Sequence, residues 1–496
     1  MMKRSYLMIL GLALAVLFGA QAQPREPVEL SLQESIALAS DSSLQAFRVK
    51  NMYLANYWQY RSFQAGRLPS LNLNMTPISY NREFTKRYDQ DNNIDVYRVQ
   101  QSLYTYGNIS LNQNLDLTGG TFFIDTELGY LRNFSDGGFS QYSSVPLRVG
   151  YRQNLMGFNA FKWEKKVEPL RYEKAKKQYL YEREGIAETV IDLFFGLAMA
   201  QAEFDMAKDN VHSADTLFLM GQERFKIASI SKADMLTLKL DAVNACNTLK
   251  NSQISLQKAT FSLGNYLNLA QDEPLRAVLP ERPPSLTIPI AEALMLARQN
   301  NPDYLANQQE VLEAEREVER TQRESSFQAN LSASAGFNQV AASLGDAYRR
   351  PLQQNLVSVG LTIPILDWGV RKGKVNMARN NLNVAKISTQ QREQSLEQDI
   401  MVTVSDFAVQ QDMVNSAEEA LTLALEAFQA TRQRFIIGQS DINSLTLSLN
   451  RQKEAQRNYI ASLRNYWTCY FRIRKLTLYD FHQGESLSFL FENMHP

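Results

Sequence analysis

The sequence predicts a mixed fold, mainly α-helical, in which one unit of long helical hairpin and antiparallel β-strands is written twice. Three observations predict it: the chain matches itself at two constant offsets, four stretches alternate strictly between apolar and polar residues, and two helical runs of about 70 residues lack a strong break.

The offsets come first, because they set the organisation. Residues 30–73 match 288–331 at an offset of 258, with Glu34 on Glu292, Ile36 on Leu294, Ala39 on Ala297 and Leu73 on Leu331. A longer match follows at an offset of 210, with Val149-Gly150 on Val359-Gly360, Gln201 on Gln411, Phe218 on Phe428, Arg224-Phe225 on Arg434-Phe435 and Phe261 on Phe471. The offsets differ by 48, so the first half carries 48 extra residues between 73 and 149. This divides the chain into residues 23–279 and 280–478 as the two repeats, with 479–496 as a C-terminal tail.

Each repeat opens with a helix and continues into an alternating strand, a loop and a second alternating strand. The strands are expected near 71–77, 145–155, 329–337 and 357–365. Leu71 and Leu73, Leu147 and Val149, Leu331 and Ala333, and Val359, Leu361 and Ile363 take one face of each, with polar or small residues between them. A period of two places one face in apolar surroundings and the other in water. A soluble β-sandwich alternates in the same way, but four strands in 496 residues are too few for its core. Four strands cannot close a membrane barrel either, since the smallest have about eight. If these strands meet lipid the chain must oligomerise, and three copies would supply about twelve strands.

The long helices span about 158–228 and 368–438, each ~105 Å at 1.5 Å per residue. They continue into returning helices, giving hairpins over about 158–270 and 368–478. Ile400, Phe407, Val414, Leu421, Phe428 and Phe435 are spaced seven apart, and Val190, Leu197, Phe204, Val211, Phe218 and Phe225 repeat them 210 residues earlier. A heptad sustained this long reads as a coiled-coil seam. A long-helix bundle without a duct shows the same period. Pro169 is expected to kink the first long helix.

Both helices stop at matching places. Arg224-Phe225 runs through Ala228 to Ser231, and Arg434-Phe435 runs through Gly438 and Ser440 to Asp441. Gly438 suits a left-handed cap, Ser231 and Asp441 suit N-caps, and Asp234 completes a capping box with Ser231.

The N-terminus reads as a secretory signal over residues 1–22: Lys3 and Arg4 precede an apolar run from Leu7 to Ala20, and Ala20-Gln21-Ala22 fits the small-x-small cleavage rule. The 14-residue run covers only ~21 Å of helix, short of a ~30 Å bilayer core. No later stretch reaches 18 consecutive apolar residues, so any later membrane contact is expected through strands.

This order of elements resembles the TolC family of outer-membrane efflux and secretion channels. The likeness runs from about residue 28 to 478 and rests on four segments: the entry Leu30–Ala39 with its copy Ala291–Pro302, the helix-to-strand junction Ala65–Leu71, the strand-to-helix junction Val359–Gly369, and the turn Arg434–Gly438. The resemblance implies a homotrimer with one transmembrane β-barrel in outer-membrane lipid and a periplasmic tunnel of long helices, gated at the helical tips. It implies as partners a periplasmic adaptor (membrane fusion) protein and an inner-membrane transporter. The cargo would be small molecules or polypeptides, passed by efflux or type I secretion. The tip, as gate and adaptor contact, would comprise Arg224, Phe225, Ala228, Ser231, Asp234, Arg434, Phe435, Gly438, Ser440, Asp441 and Ser444. The chain departs from the family there. Phe435 and Ser440 stand where a tyrosine and an arginine often latch onto an aspartate, here Asp234; Ser444 and Leu447 stand where some members carry a ring of aspartates.

Other chemistry is thinly represented. With 52 basic and 52 acidic residues the chain has no net field to draw nucleic acid. His212, His482 and His495 lack metal-ligand spacing, no Gly-rich phosphate loop or G-x-S-x-G occurs, and neither catalysis, a cofactor nor a metal is expected. Cys246 and Cys469 make no disulfide framework. Asp89 to Asp95 begins like a calcium loop, but Ile94 replaces its glycine and Gln100 its closing glutamate, which favours a solvated tip. The basic run Lys162–Lys177 reads as a solvated helix face. The extra residues contain a further alternating pair over about 106–130, either an external hairpin, the favoured reading, or added barrel wall. A different class of function, an exported coiled-coil scaffold or adhesin without a pore, fits the same periodicities.

Overall fold

The computed structural model describes residues 27–90, 93–134, 138–270 and 273–488. The signal segment 1–22 and His495 lie outside them. So does part of the calcium-like stretch, Asp91 and Asn92. Contacts divide the chain into two units, one drawn from Met1–Tyr53, Lys177–Asn301 and Leu396–Pro496, the other from Leu54–Lys176 and Pro302–Ser395.

The elements run along the chain in the following order. In the first half, β1 (Val28–Leu30), α1 (Leu32–Ser42) and α2 (Leu44–Ala65) precede strands β2 (Ser70–Asp89), β3 (Ile94–Asn114), β4 (Thr121–Asn133) and β5 (Ser140–Asn154), then helices α3 (Ala160–Lys226) and α4 (Lys232–Tyr266). In the second, β6 (Leu275–Ala277), α5 (Ile290–Asn300) and α6 (Pro302–Glu324) precede β7 (Gln328–Ala341), a one-turn α7 (Asp346–Arg349), β8 (Leu352–Thr362), α8 (Val370–Ile436) and α9 (Ile442–Thr477). A short hairpin, β9 (Tyr479–Asp480) with β10 (Glu485–Ser486), closes the described chain. The long helices α3 and α8 have 67 residues each, and the returning helices 35 and 36. Pro169 lies inside α3, which continues through it.

The first unit is held by helix packing. Ser31 opens α1 with a capping box, accepting from the Glu34 amide while the Glu34 carboxylate accepts from the Ser31 amide at 2.9 Å. Such a cap contributes ~1 kcal/mol, which matters for an 11-residue helix. One core gathers Phe194 and Phe195 of α3, Ile400, Phe407 and Val414 of α8, and Tyr466 and Tyr470 of α9. A second gathers Val190 and Leu197 with Leu263 and Leu267. The heptad residues are therefore buried in their first turns and only half-buried further on, at Phe204, Val211, Leu421 and Phe428. By length and composition α3 is the one described helix that could cross a membrane, although it has no 18 consecutive apolar residues. Half of that stretch is buried.

The tail is anchored by charge. Arg474 of α9 reaches Glu184 of α3 at 2.9 Å and Asp480 at 2.8 Å, while the Tyr470 hydroxyl donates to Asp480 at 2.6 Å. The Arg474–Glu184 approach is close but not aligned as a hydrogen bond, so charge holds it rather than direction. Burial pushes the Glu184 carboxyl up to about 7, opposed by Arg474 and Arg183 and reinforced by Asp480. A carboxyl raised on folding contributes stability that is full below its ordinary 4.5 and is lost as pH rises through 7. His482, lowered by burial, works the other way below 6.5, and Asp480, lowered by its donors, matters only in stronger acid. Glu184→Gln keeps the shape and removes only the first of these. Its stability relative to the parent is expected to rise by on the order of 2 kcal/mol between pH 5 and 8, read from melting temperatures in detergent. Parallel pH profiles for parent and variant would contradict it.

The second unit contains one six-stranded sheet in the order β2-β3-β4-β5-β7-β8, every pair antiparallel. Four strands were expected, and two expectations change. Residues 106–130 do not stand apart from the other strands: β3 and β4 lie in the middle of the sheet, hydrogen-bonded to β2 and β5. Ile363 is not a strand residue. β8 ends at Thr362, because Pro364 has no amide to donate and holds the residue before it out of helical geometry. The basic run of α3 is only partly solvated. Trp163 is buried and donates to Glu319 at 2.9 Å, and Arg171 bridges Glu168 and Glu313.

Candidate functional site

Two places in the fold carry the residues singled out above, and each lies within one unit.

The helix turns lie in the first unit. Ala228 and Gly438 both take left-handed backbone, at φ 56° and 82°, and the amides of Ser229 and Gln439 return to the carbonyls of Arg224 and Arg434 at 2.8 Å. Gly438 adopts this geometry freely, whereas Ala228 adopts it against its Cβ. Ser231 and Asp234 form a full capping box, and Asp441 accepts from the Ser444 amide at 2.6 Å. Asp234 is thus engaged with its own helix start. The two hairpins meet through Arg224, whose guanidinium lies over the Phe435 ring at 5.5 Å. Phe435 is 5% exposed, while Phe225, its repeat counterpart, is 40% exposed. The symmetry of the sequence is broken at its tips.

Phe435 also lines a cavity of about 230 Å³ with Phe428, Arg432, Leu238, Leu445 and Lys453. Burial and the neighbouring Arg457 lower the Lys453 ammonium. Gly221 admits Leu238 here, since a Cβ would collide with its Cδ1. Gly221, Leu238 and Leu445 were not among the residues read from sequence. The signal was available in the spacing of Leu238, Ala242 and Ala245, all buried on one face of α4.

The second place is the sheet. Opposed residues of antiparallel strands share a face, so register assigns sides. Leu71, Leu111, Ile124, Val149 and Ala335 are successive partners across five strands. Leu73 with Ile109, Leu147 with Phe337, Ala333 with Val357, Leu331 with Val359 and Ala329 with Leu361 extend the same face. On it Leu71, Leu73, Leu147, Val359 and Leu361 are exposed. The opposite face carries Asn72, Ser110, Asp125, Arg148, Gly336 and Gln354 in one row. There Arg148 forks onto Asp125 at 2.9 and 2.7 Å, and Arg152 lies over Phe123 at 4.3 Å. A Cβ at Gly150 would run into the Phe123 ring, so glycine lets that ring cross β5. An exposed apolar face opposite a polar one is the arrangement of a sheet with lipid on one side and water on the other.

Among the described residues no group of three or more His, Cys, Asp or Glu could hold a metal. Ser444 and Leu447 are exposed near the turn.

Residues 293–477 match the family model described as outer membrane efflux protein. That segment, less than half of the chain, is similar to the outer membrane efflux protein family. The fold agrees over most of the chain. The outer membrane protein VceC of Vibrio cholerae is similar with a TM-score of 0.61 and 14% identity, over 90% of this chain and 95% of that one. The CmeC outer membrane channel of Campylobacter jejuni is similar with a TM-score of 0.65 and 13% identity, over 93% and 88%. A relative from Haemophilus influenzae, described only as an uncharacterized protein, is 23% identical over 235 residues, 46% of this chain. The aligned region spans 49%, about half, of that relative's length. The mainly helical fold with an antiparallel sheet is thus that of outer membrane efflux channels.

Proposed function

We propose that the chain is one protomer of a passive exit channel of the outer membrane efflux type. Three copies close a β-barrel in outer-membrane lipid, and the long helices form a periplasmic tunnel that docks a membrane fusion adaptor and an inner-membrane transporter. The transporter supplies the energy, and the channel carries small molecules or polypeptides without covalent chemistry.

The observation that carries this reading is the amphipathic sheet. Its apolar face is continuous across all six strands, and its outer strands β2 and β8 end the sheet without a partner from this chain among the described residues. Open edges are not stable in lipid, and pairing edge to edge with further copies removes them while the apolar face meets the lipid. The helices agree. Val370, Met377 and Val384, spaced seven apart on α8, are exposed, as are Leu236, Leu240 and Val243 on α4. A second copy covering such stripes completes the coiled-coil packing begun within one chain.

Purified trimer in a planar bilayer is expected to conduct ions, at least once the tip is loosened by mutation. A strain lacking the protein is expected to become sensitive to toxic compounds or to lose a secreted product. A trimer that stays silent after tip mutation would instead favour an exported scaffold without a pore.

A further inference from the structure

We propose that β3 and β4 are membrane-spanning wall strands, so that each chain supplies six strands and the trimer closes an exit of about eighteen strands rather than twelve. This rests on the trimeric channel reading above and goes beyond it in stating the width of the exit.

The register argues for it first. β4 has 13 residues, enough for a bilayer crossing, and pairs along β3 from Asn114–Thr121 to Ser102–Asn133. The inserted strands pair with each other without a register shift and hold both faces in phase with β5 from Thr121 to Asp125, beyond which a bulge intervenes. Ile109, Leu111, Ile124 and Leu128 fall on the apolar side, and Asn108, Ser110, Asp125 and Glu127 on the polar side. A hairpin standing in external solvent has no need to hold that division in phase with its neighbours.

The turn between them argues for it independently. Residues 115–120 lie at the helix-proximal ends of the strands, beside Ser70 and Asn154, and are fastened there. Arg67 pairs with Asp116, Asn159 donates to the Asp116 carbonyl at 2.8 Å, and Gln153 donates to the Thr118 carbonyl at 2.9 Å. The Tyr151 hydroxyl reaches the Thr118 hydroxyl at 2.6 Å. The hairpin therefore crosses the full width of the sheet. Only the far part of β2 and β3, pairing Arg82–Gln101 through Asp89–Ile94, runs beyond β4, and this is the segment that can project outside.

Charge gives a third argument. Arg148 of β5 pairs with Asp125 and, at 3.5 Å, with Glu127, both on β4. At the offset of 210 its counterpart is Ser358 on the edge strand β8, which has no inserted neighbour. The half with the insertion carries the arginine, and the half without it does not. Barrel diameter grows roughly linearly with strand number, so eighteen strands are about 1.5-fold wider than twelve and fall in the range that leaves an aqueous channel.

The test places a bimane fluorophore on single cysteines in a Cys246→Ser, Cys469→Ala background, reconstituted in vesicles. Leu111→Cys and Ile124→Cys are expected to be quenched by nitroxide-labelled lipid as strongly as Leu331→Cys and Val359→Cys. Ser110→Cys is expected to answer only to a water-soluble quencher. If Leu331→Cys and Val359→Cys feel the lipid while Leu111→Cys and Ile124→Cys feel only the aqueous quencher, the hairpin lies outside the wall and the proposal falls, with the channel reading intact. If none of the four feels lipid, the membrane reading fails and takes the proposal with it. Should the labelled variants not assemble, the strand count in an electron-microscopy map of the unmodified trimer decides: eighteen supports the proposal and twelve overturns it.

Discussion

Arg474→Ala is expected to destabilise the first unit by about 3–5 kcal/mol at neutral pH, the cost of leaving buried carboxylates without their cation. Arg474 is the cation that meets both Glu184 and Asp480, whose side chains are each only 6% exposed. Its loss does two things together. It leaves Asp480 with the Tyr470 hydroxyl and the amides of His482 and Gln483 as its donors, and it places two buried carboxylates near each other without compensation. Glu184 already prefers its neutral form, so it answers by protonating, and the defect is expected to shrink as pH falls from 8 towards 5. Arg474→Lys is expected to fall between, since a point charge on a flexible stem does not fork onto two carboxylates. Melting temperatures in detergent across that pH range provide the measurement. An alanine variant as stable as the parent at pH 8 would show that packing, not this triad, fastens β9 and β10.

The same residues mark the limit of what the sequence could reveal. The long helices, their stops and their caps were legible because each is a local pattern: a heptad, a Gly438 where the backbone turns left-handed, a Ser231 followed by Asp234. The apolar faces of four strands were legible because alternation has a fixed period of two. Glu184, Arg474 and Asp480 were not, because nothing local distinguishes a buried charge from a solvated one when its partners lie nearly 300 positions away. The place of β3 and β4 was likewise not legible. Alternation says which residues share a face, but whether a hairpin stands free or joins a wall depends on pairing with β2 and β5, and that is a matter of register. At the tip the sequence named Arg224 and Phe435 separately. Their contact joins two hairpins, and no spacing within either foretells it.

That contact is where the largest functional effect is expected. Phe435→Asp is expected to raise the leak of the reconstituted channel by about tenfold or more, whereas Phe435→Leu stays close to the parent. The ring is buried at the end of the heptad and covered by Arg224, and a carboxylate there must be desolvated or the helices must part. Arg224 alone does not hold the site, since a cation over an aromatic ring contributes only ~0.5–1 kcal/mol near a surface. Arg432 and Lys453 line the same cavity and offset part of the introduced charge, which limits the net cost to about 2–3 kcal/mol. Every 1.4 kcal/mol is a tenfold change in a two-state equilibrium, so even the lower figure moves a closed tip measurably towards open. Leucine keeps the apolar volume and loses only the ring, so it separates charge from packing. Single-channel recording distinguishes the outcomes. Equal conductance and open probability in all three proteins would mean that Phe435 packs the hairpins together without constricting the path.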